Sequence, residues 1–164
     1  MSKVSEIYDG LSHTERTVLD IIGHSNHIRP TRLQKISLVV GVKELSNIPQ
    51  THGAYFFGAF SDEVDESAEG LREEGIIAYK ENEGYRLTKL GNEVYDIIKI
   101  SDKQMNEKVE RVIRLFSSMR DEEVTAITYA LYPQYASQSL IRTTMEKVAS
   151  KLDISKIREE MERI

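Results

Sequence analysis

The sequence of 164 residues contains no cysteine. This absence excludes disulfide bonds, thiolate metal ligands and a cysteine nucleophile. The chain also lacks a long hydrophobic run, since its longest apolar stretch, residues 36–42, is far shorter than the roughly 20 residues that a membrane-spanning helix needs. No apolar run of the signal-peptide kind stands near the N-terminus. We therefore expect a soluble, cytoplasmic protein that does not bind a membrane.

Motifs that carry enzymatic chemistry are also missing. No Ser, His and Asp set carries a nucleophile motif, and Ser61 is better placed to cap a helix. His24 and His27 fall in a turn without helical i, i+4 spacing, which does not favour a metal site. Gly53 and Gly58 are not followed by the Lys-Ser/Thr pair of a phosphate-binding loop. We expect no enzymatic activity, no metal and no cofactor.

Acidic residues outnumber basic ones, and the excess is concentrated in one segment. The net charge is −5, with 27 Asp and Glu against 22 Lys and Arg. Residues 101–164 are neutral, whereas residues 61–74 contain seven acidic residues and a single basic one, Arg72. A generic nucleic-acid binder has the opposite charge pattern, a basic stripe on its surface. The acidic segment therefore counts against DNA binding in this part of the chain.

Apolar spacing and capping residues predict helices over most of the first hundred residues. The first predicted helix, residues 11–23, begins with a Ser-x-x-Glu capping box, and the second covers residues 31–40. Ser61 is expected to cap a third helix, which stops at Gly75. The long segment between the second and third helices, residues 43–60, is predicted to be irregular.

A short hairpin is predicted after the third helix. Residues 76–79 and 85–87 are β-type runs, and a polar tip with a glycine near its end separates them. Thr88 is expected to cap a fourth helix, which follows the hairpin directly.

Only helices are predicted after residue 100. Five apolar residues there follow a +4, +3 spacing like that of a coiled-coil seam: Met105, Val109, Val112, Phe116 and Met119. This stripe is either part of the core or a seam between two copies. We predict a homodimer held by the C-terminal helices, because a complete N-terminal domain leaves 64 further residues that need a surface to cover.

The order helix, helix, helix, hairpin, helix resembles that of a winged helix-turn-helix domain. The stretch Leu71-Arg72-Glu73-Glu74-Gly75-Ile76-Ile77 and the stretch Tyr85-Arg86-Leu87-Thr88-Lys89-Leu90-Gly91 resemble the third helix, wing and fourth helix of that superfamily. The expected fold is mainly α with a small β-hairpin wing. A winged-helix domain over residues 1–100 would be followed by a helical extension over residues 101–164.

A narrower resemblance is to the SocA-like antitoxin and phage-associated domain family. It rests on Thr31-Arg32-Leu33-Gln34-Lys35, on Phe57-Gly58-Ala59-Phe60-Ser61-Asp62-Glu63-Val64 and on Tyr132-Pro133-Gln134-Tyr135. The match covers about residues 11–140, and Ala59 stands where that family usually has proline. The resemblance implies a small regulatory or interaction protein and no known catalyst.

Two functions follow from this fold. The first is a transcription regulator that binds double-stranded DNA, because a helix-turn-helix usually places a recognition helix in the major groove. Phosphate contacts require cations. The basic residues predicted to make these contacts lie on the second helix and at the wing: Arg29, Arg32, Lys35, Lys80, Arg86 and Lys89.

The second function is an antitoxin-like adaptor that binds a basic protein partner. Carboxylates on the third helix would be repelled by a polyanion, and aromatic side chains are frequent anchors of protein interfaces. The residues predicted to bind such a partner are Tyr55, Phe57, Phe60, Asp62, Glu66 and Glu69. The sequence ranks DNA-linked regulation narrowly first and identifies neither the partner, the DNA sequence nor an effector.

Overall fold

The computed structural model describes residues 2–44, 53–55, 58–135 and 140–164. Within these ranges the chain is mainly helical, with two small antiparallel sheets. The helices are α1 (Lys3–Gly10), α2 (His13–His24), α3 (Pro30–Glu44), α4 (Asp62–Glu73), α5 (Lys89–Ser101), α6 (Lys103–Phe116), α7 (Asp121–Leu131), the 3-10 turn Pro133–Tyr135, α8 (Arg142–Ala149) and α9 (Ile154–Glu162). The strands are β1 (Gly53–Tyr55), β2 (Gly58–Phe60), β3 (Ile77–Lys80) and β4 (Gly84–Leu87).

The predicted capping residues start the helices that they were expected to start. At α2, the Ser12 side chain accepts from the Glu15 amide at 3.1 Å, and the Glu15 carboxylate accepts from the Ser12 amide at 2.9 Å. The Ser61 side chain accepts from the Val64 amide at the start of α4. Each bond satisfies a backbone donor that the first helical turn leaves without a partner.

Helix α1 lies outside the predicted helices, and tertiary contacts hold it. The Tyr8 hydroxyl donates to Asp102 Oδ2 at 2.8 Å, which ties α1 to the junction of α5 and α6. The Arg16 guanidinium lies 3.9 Å from the centre of the Tyr8 ring and donates to the Tyr8 carbonyl at 3.0 Å. An eight-residue helix is marginal in isolation, so these contacts rather than intrinsic propensity explain α1.

One hydrophobic core runs through both halves of the chain. Val18, Val39 and Leu71 are fully buried in it, and so are Val112 and Phe116 of α6. Helix α6 packs against α2 and α3. The predicted division at residue 100 stays a prediction, but the larger cluster of buried side chains extends across it.

The expectation that the apolar stripe of α6 forms a dimer seam is wrong. Four residues of the stripe are buried within the chain: Met105, Val109, Val112 and Phe116. Met119 is partly buried against the same core. A residue already buried against α2 and α3 has no apolar surface left for a second copy. The stripe is therefore the inward face of an amphipathic helix. Pairing of two copies through another face stays a prediction.

The hairpin predicted after α4 is present. Strands β3 and β4 pair antiparallel, with Ile77 opposite Leu87 and Lys80 opposite Gly84. The backbone of Ile28, which precedes α3, pairs with Tyr85 through two hydrogen bonds of 3.0 and 2.8 Å. The hairpin is thus fixed to the connection between α2 and α3.

Two glycines have the backbone conformation that their turns require. Gly75 ends the turn after α4 with φ of +75°, as the sequence predicts. Gly84 has φ of +92°, and a Cβ there would lie 2.2 Å from the Ile28 carbonyl oxygen. Glycine at 84 therefore permits the close approach of β4 to the Ile28 backbone.

Strands β1 and β2 fall inside the segment that was predicted to be irregular. They pair antiparallel with Gly53 opposite Phe60, and β2 lies beside α3. Three-residue strands give no period-2 alternation from which a sequence could predict them. Among the described residues, no helix is long and apolar enough to cross a membrane.

Candidate interaction surfaces

Helix α4 presents a buried apolar face and an exposed acidic face. Val64, Ala68 and Leu71 are fully buried, as their spacing predicts. The exposed side carries six carboxylates, which we call the acidic face: Asp62, Glu63, Asp65, Glu66, Glu69 and Glu73. Three of these acids lie in the first turn, where they interact favourably with the positive end of the helix dipole. The predicted partner-binding residues Asp62, Glu66 and Glu69 therefore lie together on the surface.

The acidic face is little neutralised by nearby cations. Within the described part of the chain, one α4 carboxylate forms an ion pair: Glu69 Oε1 lies 3.8 Å from Arg72 Nη1. Glu63 accepts instead from the Thr14 hydroxyl at 2.6 Å, a neutral donor. The face keeps most of its negative charge, so it repels phosphates over roughly one Debye length, about 8–10 Å at ordinary salt.

An aromatic group borders the acidic face at the hairpin. Tyr79 on β3 is 40% exposed, and the Arg72 guanidinium lies 5.2 Å from the centre of its ring. The Tyr85 ring meets Tyr79 edge-on at 5.3 Å, and its hydroxyl donates to Glu69 at 3.3 Å. Burial, together with the negative charges of Glu69 and Asp65, raises the pKa of Tyr85 to about 12. The local electrostatic potential is thus negative up to the hairpin.

Gln34 positions the start of α4. Its side-chain amide donates to the Ser61 carbonyl at 3.0 Å and accepts from the Ser61 amide at 2.8 Å, in a buried site. This pair of hydrogen bonds joins α3 to the residue that caps α4. The sequence signal for it is a polar residue between the buried positions Leu33 and Ile36. The consequence is a fixed link between α3 and the first turn of the acidic face.

The predicted aromatic anchors are only partly within the described structure. Tyr55 is the last residue of β1, and Phe60 is the last residue of β2. Phe57 lies outside the described residues. The backbone thus places Phe60 directly before the Ser61 cap of α4.

Arg32 does not face solvent, although the sequence predicts that it does. Its side chain is 18% exposed and donates to the carbonyls of Phe116 at 2.6 Å and Met119 at 3.0 Å, and to Asp121 Oδ1 at 2.9 Å. The expectation that Arg32 is an open cation is wrong, because its guanidinium donates to the last carbonyl of α6 and to a carbonyl of the α6–α7 connection, and pairs with the first residue of α7.

Lys35 is a second correction. It is 3% exposed, and burial lowers the pKa of its ammonium to about 8. The expectation that it faces outward is wrong, because the turn of α3 that carries Lys35 packs into the protein and does not remain on its surface. Neither Arg32 nor Lys35 is placed to meet a phosphate in this conformation.

The four other predicted DNA-contacting residues are exposed: Arg29, Lys80, Arg86 and Lys89. Arg29 Nε donates to the Asn82 carbonyl at 3.2 Å, so it joins the start of α3 to the hairpin tip. Lys80 forms an ion pair with Glu83 at 3.7 Å on the same tip. The structure therefore gathers a small set of cations around the hairpin.

A buried polar cluster was not predicted from the sequence. Asp20 on α2 is fully buried and accepts from the Asn106 side-chain amide at 2.7 Å. His24 Nε2 lies 3.4 Å from Asp20 Oδ1, and its ring meets Tyr95 edge-on at 5.7 Å. The sequence signal that could have predicted this cluster is Asp20 beside the apolar positions of α2, with His24 one helical turn later. The cluster joins α2, α5 and α6.

Burial lowers the pKa of His24 below the ordinary 6.5, and this effect outweighs the opposing influence of Glu110. Among the described residues, no three His, Asp or Glu side chains converge as metal ligands.

A comparison of the chain with protein-family models, with curated proteins and with solved structures finds no match.

Proposed function

We propose that the chain is a non-enzymatic winged-helix regulatory protein that binds a positively charged protein partner through the acidic face of α4. The order α2, Ile28 segment, α3, α4 and hairpin supports the winged-helix assignment. The pairing of Ile28 with Tyr85 supplies a third strand segment beside the two hairpin strands. The β1–β2 pair is an insertion between α3 and α4 in this interpretation.

One observation carries the choice of partner. In the proposed fold, α4 is the second helix of the helix-turn-helix unit, which usually enters the major groove. Its solvent side carries six carboxylates and one nearby ion-paired cation among the described residues. Bringing that face against phosphates costs free energy, whereas a Lys- or Arg-rich protein surface is attracted to it.

The aromatic border supports the same partner. Tyr79 and Arg72 are exposed residue types that often anchor protein interfaces, and they lie beside Glu69. An acidic face alone would steer a basic partner without fixing its position. The exposed Tyr79 ring supplies apolar area for a fixed contact and for stacking on a partner's cation.

DNA-linked transcription regulation is the second candidate function. It is supported by the exposed cations around the hairpin, Arg29, Lys80, Arg86 and Lys89. In a DNA complex that uses these cations, the hairpin and the start of α3 would contact the DNA. It ranks second because Arg32 and Lys35, two of the six expected contacts, are engaged or buried inside the protein.

The test is quantitative co-purification of the tagged protein from its native cells. Asp62→Asn, Glu66→Gln and Glu69→Gln together neutralise the acidic face without adding bulk. A matched control, Glu107→Gln, Glu159→Gln and Glu162→Gln, removes the same charge from exposed positions on α6 and α9. We expect one protein to co-purify with the wild type and the control, and to be reduced at least tenfold with the α4 variant.

The proposal is overturned if the same partner is recovered equally with the α4 variant and with the control. Recovery of DNA fragments alone, insensitive to the three α4 changes, would favour the second candidate function instead.

A further inference from the structure

Arg72, in the last turn of α4, lies over the aromatic ring that borders the acidic face. Its guanidinium carbon is 5.2 Å from the centre of the Tyr79 ring, within the range of a cation–π contact. Its Nη1 atom is 3.8 Å from Glu69 Oε1. The chain therefore already places one guanidinium group of its own between an exposed ring and a carboxylate of the acidic face.

The ring and the carboxylate are held in place by Tyr85, and we call Tyr79, Tyr85 and Glu69 together the Tyr79 site. Tyr79 lies opposite Tyr85 in the hairpin register, and the two rings meet edge-on with their centres 5.3 Å apart. The Tyr85 hydroxyl donates to Glu69 Oε1 at 3.3 Å. Because Tyr85 is itself buried, it fixes the position of the exposed ring relative to the carboxylate.

Arg72 is held at this site by weak contacts. Its distance of 3.8 Å from Glu69 is too long for a hydrogen bond. The side chains of Arg72 and Glu69 are 47% and 48% exposed, so water and salt screen their attraction. Tyr79 remains partly exposed beside Arg72. It follows that Arg72 can leave the Tyr79 site at a small cost in free energy.

The side chain that best replaces Arg72 at this site is an arginine of another chain. A guanidinium is planar, so it can stack on Tyr79 and donate to a carboxylate at the same time, whereas a lysine ammonium is a compact point charge. Arg72 must reach the ring from its own position on α4, and it stacks there without coming within hydrogen-bond distance of Glu69. An arginine that arrives from solvent can approach from another direction and make both contacts.

On the basis of the function proposed for α4, on which this inference depends, we propose that Arg72 is an internal competitor for the partner. The partner inserts an arginine at the Tyr79 site, and this arginine displaces Arg72 from the Tyr79 ring. Arg72 therefore limits the affinity of the complex, and the site selects arginine over lysine. Removal of Arg72 strengthens binding, which is the opposite of what the loss of a contact residue does.

Fluorescence anisotropy with two short labelled peptides tests this inference. One peptide alternates arginine with glycine and the other alternates lysine with glycine, so their length and charge are equal. We expect the full-length protein to bind the arginine peptide more tightly, and Arg72→Gln to strengthen that binding roughly fivefold. Arg86→Gln is the matched control, because it removes the same charge from an exposed position on the same hairpin. At physiological salt it should strengthen binding less than about twofold.

Tyr79→Leu distinguishes a competitor from a simple change of charge. It removes the aromatic face and keeps an apolar side chain at an exposed position. In the Tyr79→Leu protein, Arg72→Gln should strengthen binding no more than Arg86→Gln does, and the preference for the arginine peptide should disappear. Thermal unfolding without peptide shows whether each variant is folded.

Two results would overturn the inference and leave the proposed function standing. One is weaker binding of the arginine peptide by Arg72→Gln than by the wild type, which would make Arg72 a contact residue. The other is an equal gain in Arg72→Gln and in Arg86→Gln. In both cases the double variant Asp62→Asn, Glu66→Gln still binds the peptide more weakly than the wild type does.

A failure of the proposed function gives a different result. Either the wild type binds neither peptide, or the double variant Asp62→Asn, Glu66→Gln binds both peptides as tightly as the wild type does. Each of these results would overturn the proposed function and, with it, the role assigned to Arg72.

Discussion

At the scale of single residues, His24 links stability to pH. It lies beside the buried Asp20, and burial lowers its pKa below 6.5. The unfolded chain therefore binds a proton at His24 at a higher pH than the folded protein does. It follows that the free energy of unfolding decreases as the pH falls below about 6.5.

We predict that His24→Gln reduces this pH dependence. Urea unfolding at pH 7.5 and at pH 5.5 measures it, with exposed His13→Gln as the control. The loss of stability on acidification should be smaller in the His24 variant than in the wild type and in the control. An identical loss in all three proteins would show that His24 has no part in it.

Arg32 is the second residue whose role the structure defines. It is mostly buried and donates to Phe116, Met119 and Asp121. Arg32→Ala leaves those acceptors without their donor, and we predict a loss of about 2 kcal/mol in the free energy of unfolding. Arg86→Ala, an exposed control, should change it by less than about 0.5 kcal/mol. Equal stability of the two variants in a urea titration would contradict the role assigned to Arg32.

The sequence could not assign Arg32 and Lys35 correctly, for a physical reason. Arg29, Arg32 and Lys35 follow a spacing of three, which places them along one side of a helix. That spacing predicts a shared face, but it contains no information on which other element covers the face. For Arg32, the contacts with the distant residue Asp121 and with the C-terminal turn of α6 determine that the side chain is mostly buried.

At the scale of secondary-structure elements, α6 is a core helix. Phe116 is fully buried at its end, whereas Ile100 at the end of α5 is 81% exposed. We predict that Phe116→Ala lowers the free energy of unfolding by about 3–5 kcal/mol, because it removes a buried ring and leaves a cavity. Ile100→Ala should change it by less than about 0.5 kcal/mol.

Denaturant unfolding of both variants tests the assignment of α6 to the core. A seam between two copies would give a different result: Phe116→Ala would halve the mass in light scattering and leave the unfolding of the single chain nearly unchanged.

Elements that are marked in the sequence by a capping residue, an apolar spacing or a turn glycine were predictable. Elements that lack such a mark were not predictable. The caps Ser12 and Ser61 and the apolar spacing of α4 predicted where α2 and α4 lie. Gly75 and Thr88 predicted the borders of the hairpin. Helix α1 depends on contacts of Tyr8 with distant residues, and the three-residue strands β1 and β2 are too short for a periodic pattern. Tertiary contacts, which a sequence pattern does not contain, determine those elements.

At the scale of the whole molecule, acidic and basic side chains concentrate on different elements of the fold. The acidic face lies on α4, and the exposed cations Arg29, Lys80 and Arg86 lie just before α3 and on the hairpin. The acidic face was predictable, since the segment's composition and the spacing of Val64, Ala68 and Leu71 determine it. The ion pair between Arg29 and Asp121 was not predictable, because the two residues lie about ninety positions apart in the sequence and only the packing of α6 and α7 on α3 brings them together.

The central claim is that α4 serves a basic protein partner and does not lie in a DNA groove. Titration of a labelled DNA duplex, followed by fluorescence anisotropy at physiological salt, tests it most directly. We predict that the wild type binds only weakly, in the nonspecific range of about 10⁻⁴ M. Replacing Asp62, Glu66 and Glu69 with Lys should strengthen that binding at least tenfold, because repulsion becomes attraction. Tight binding of one duplex sequence by the wild type, abolished by the same three changes, would show that α4 reads DNA bases and would contradict the claim.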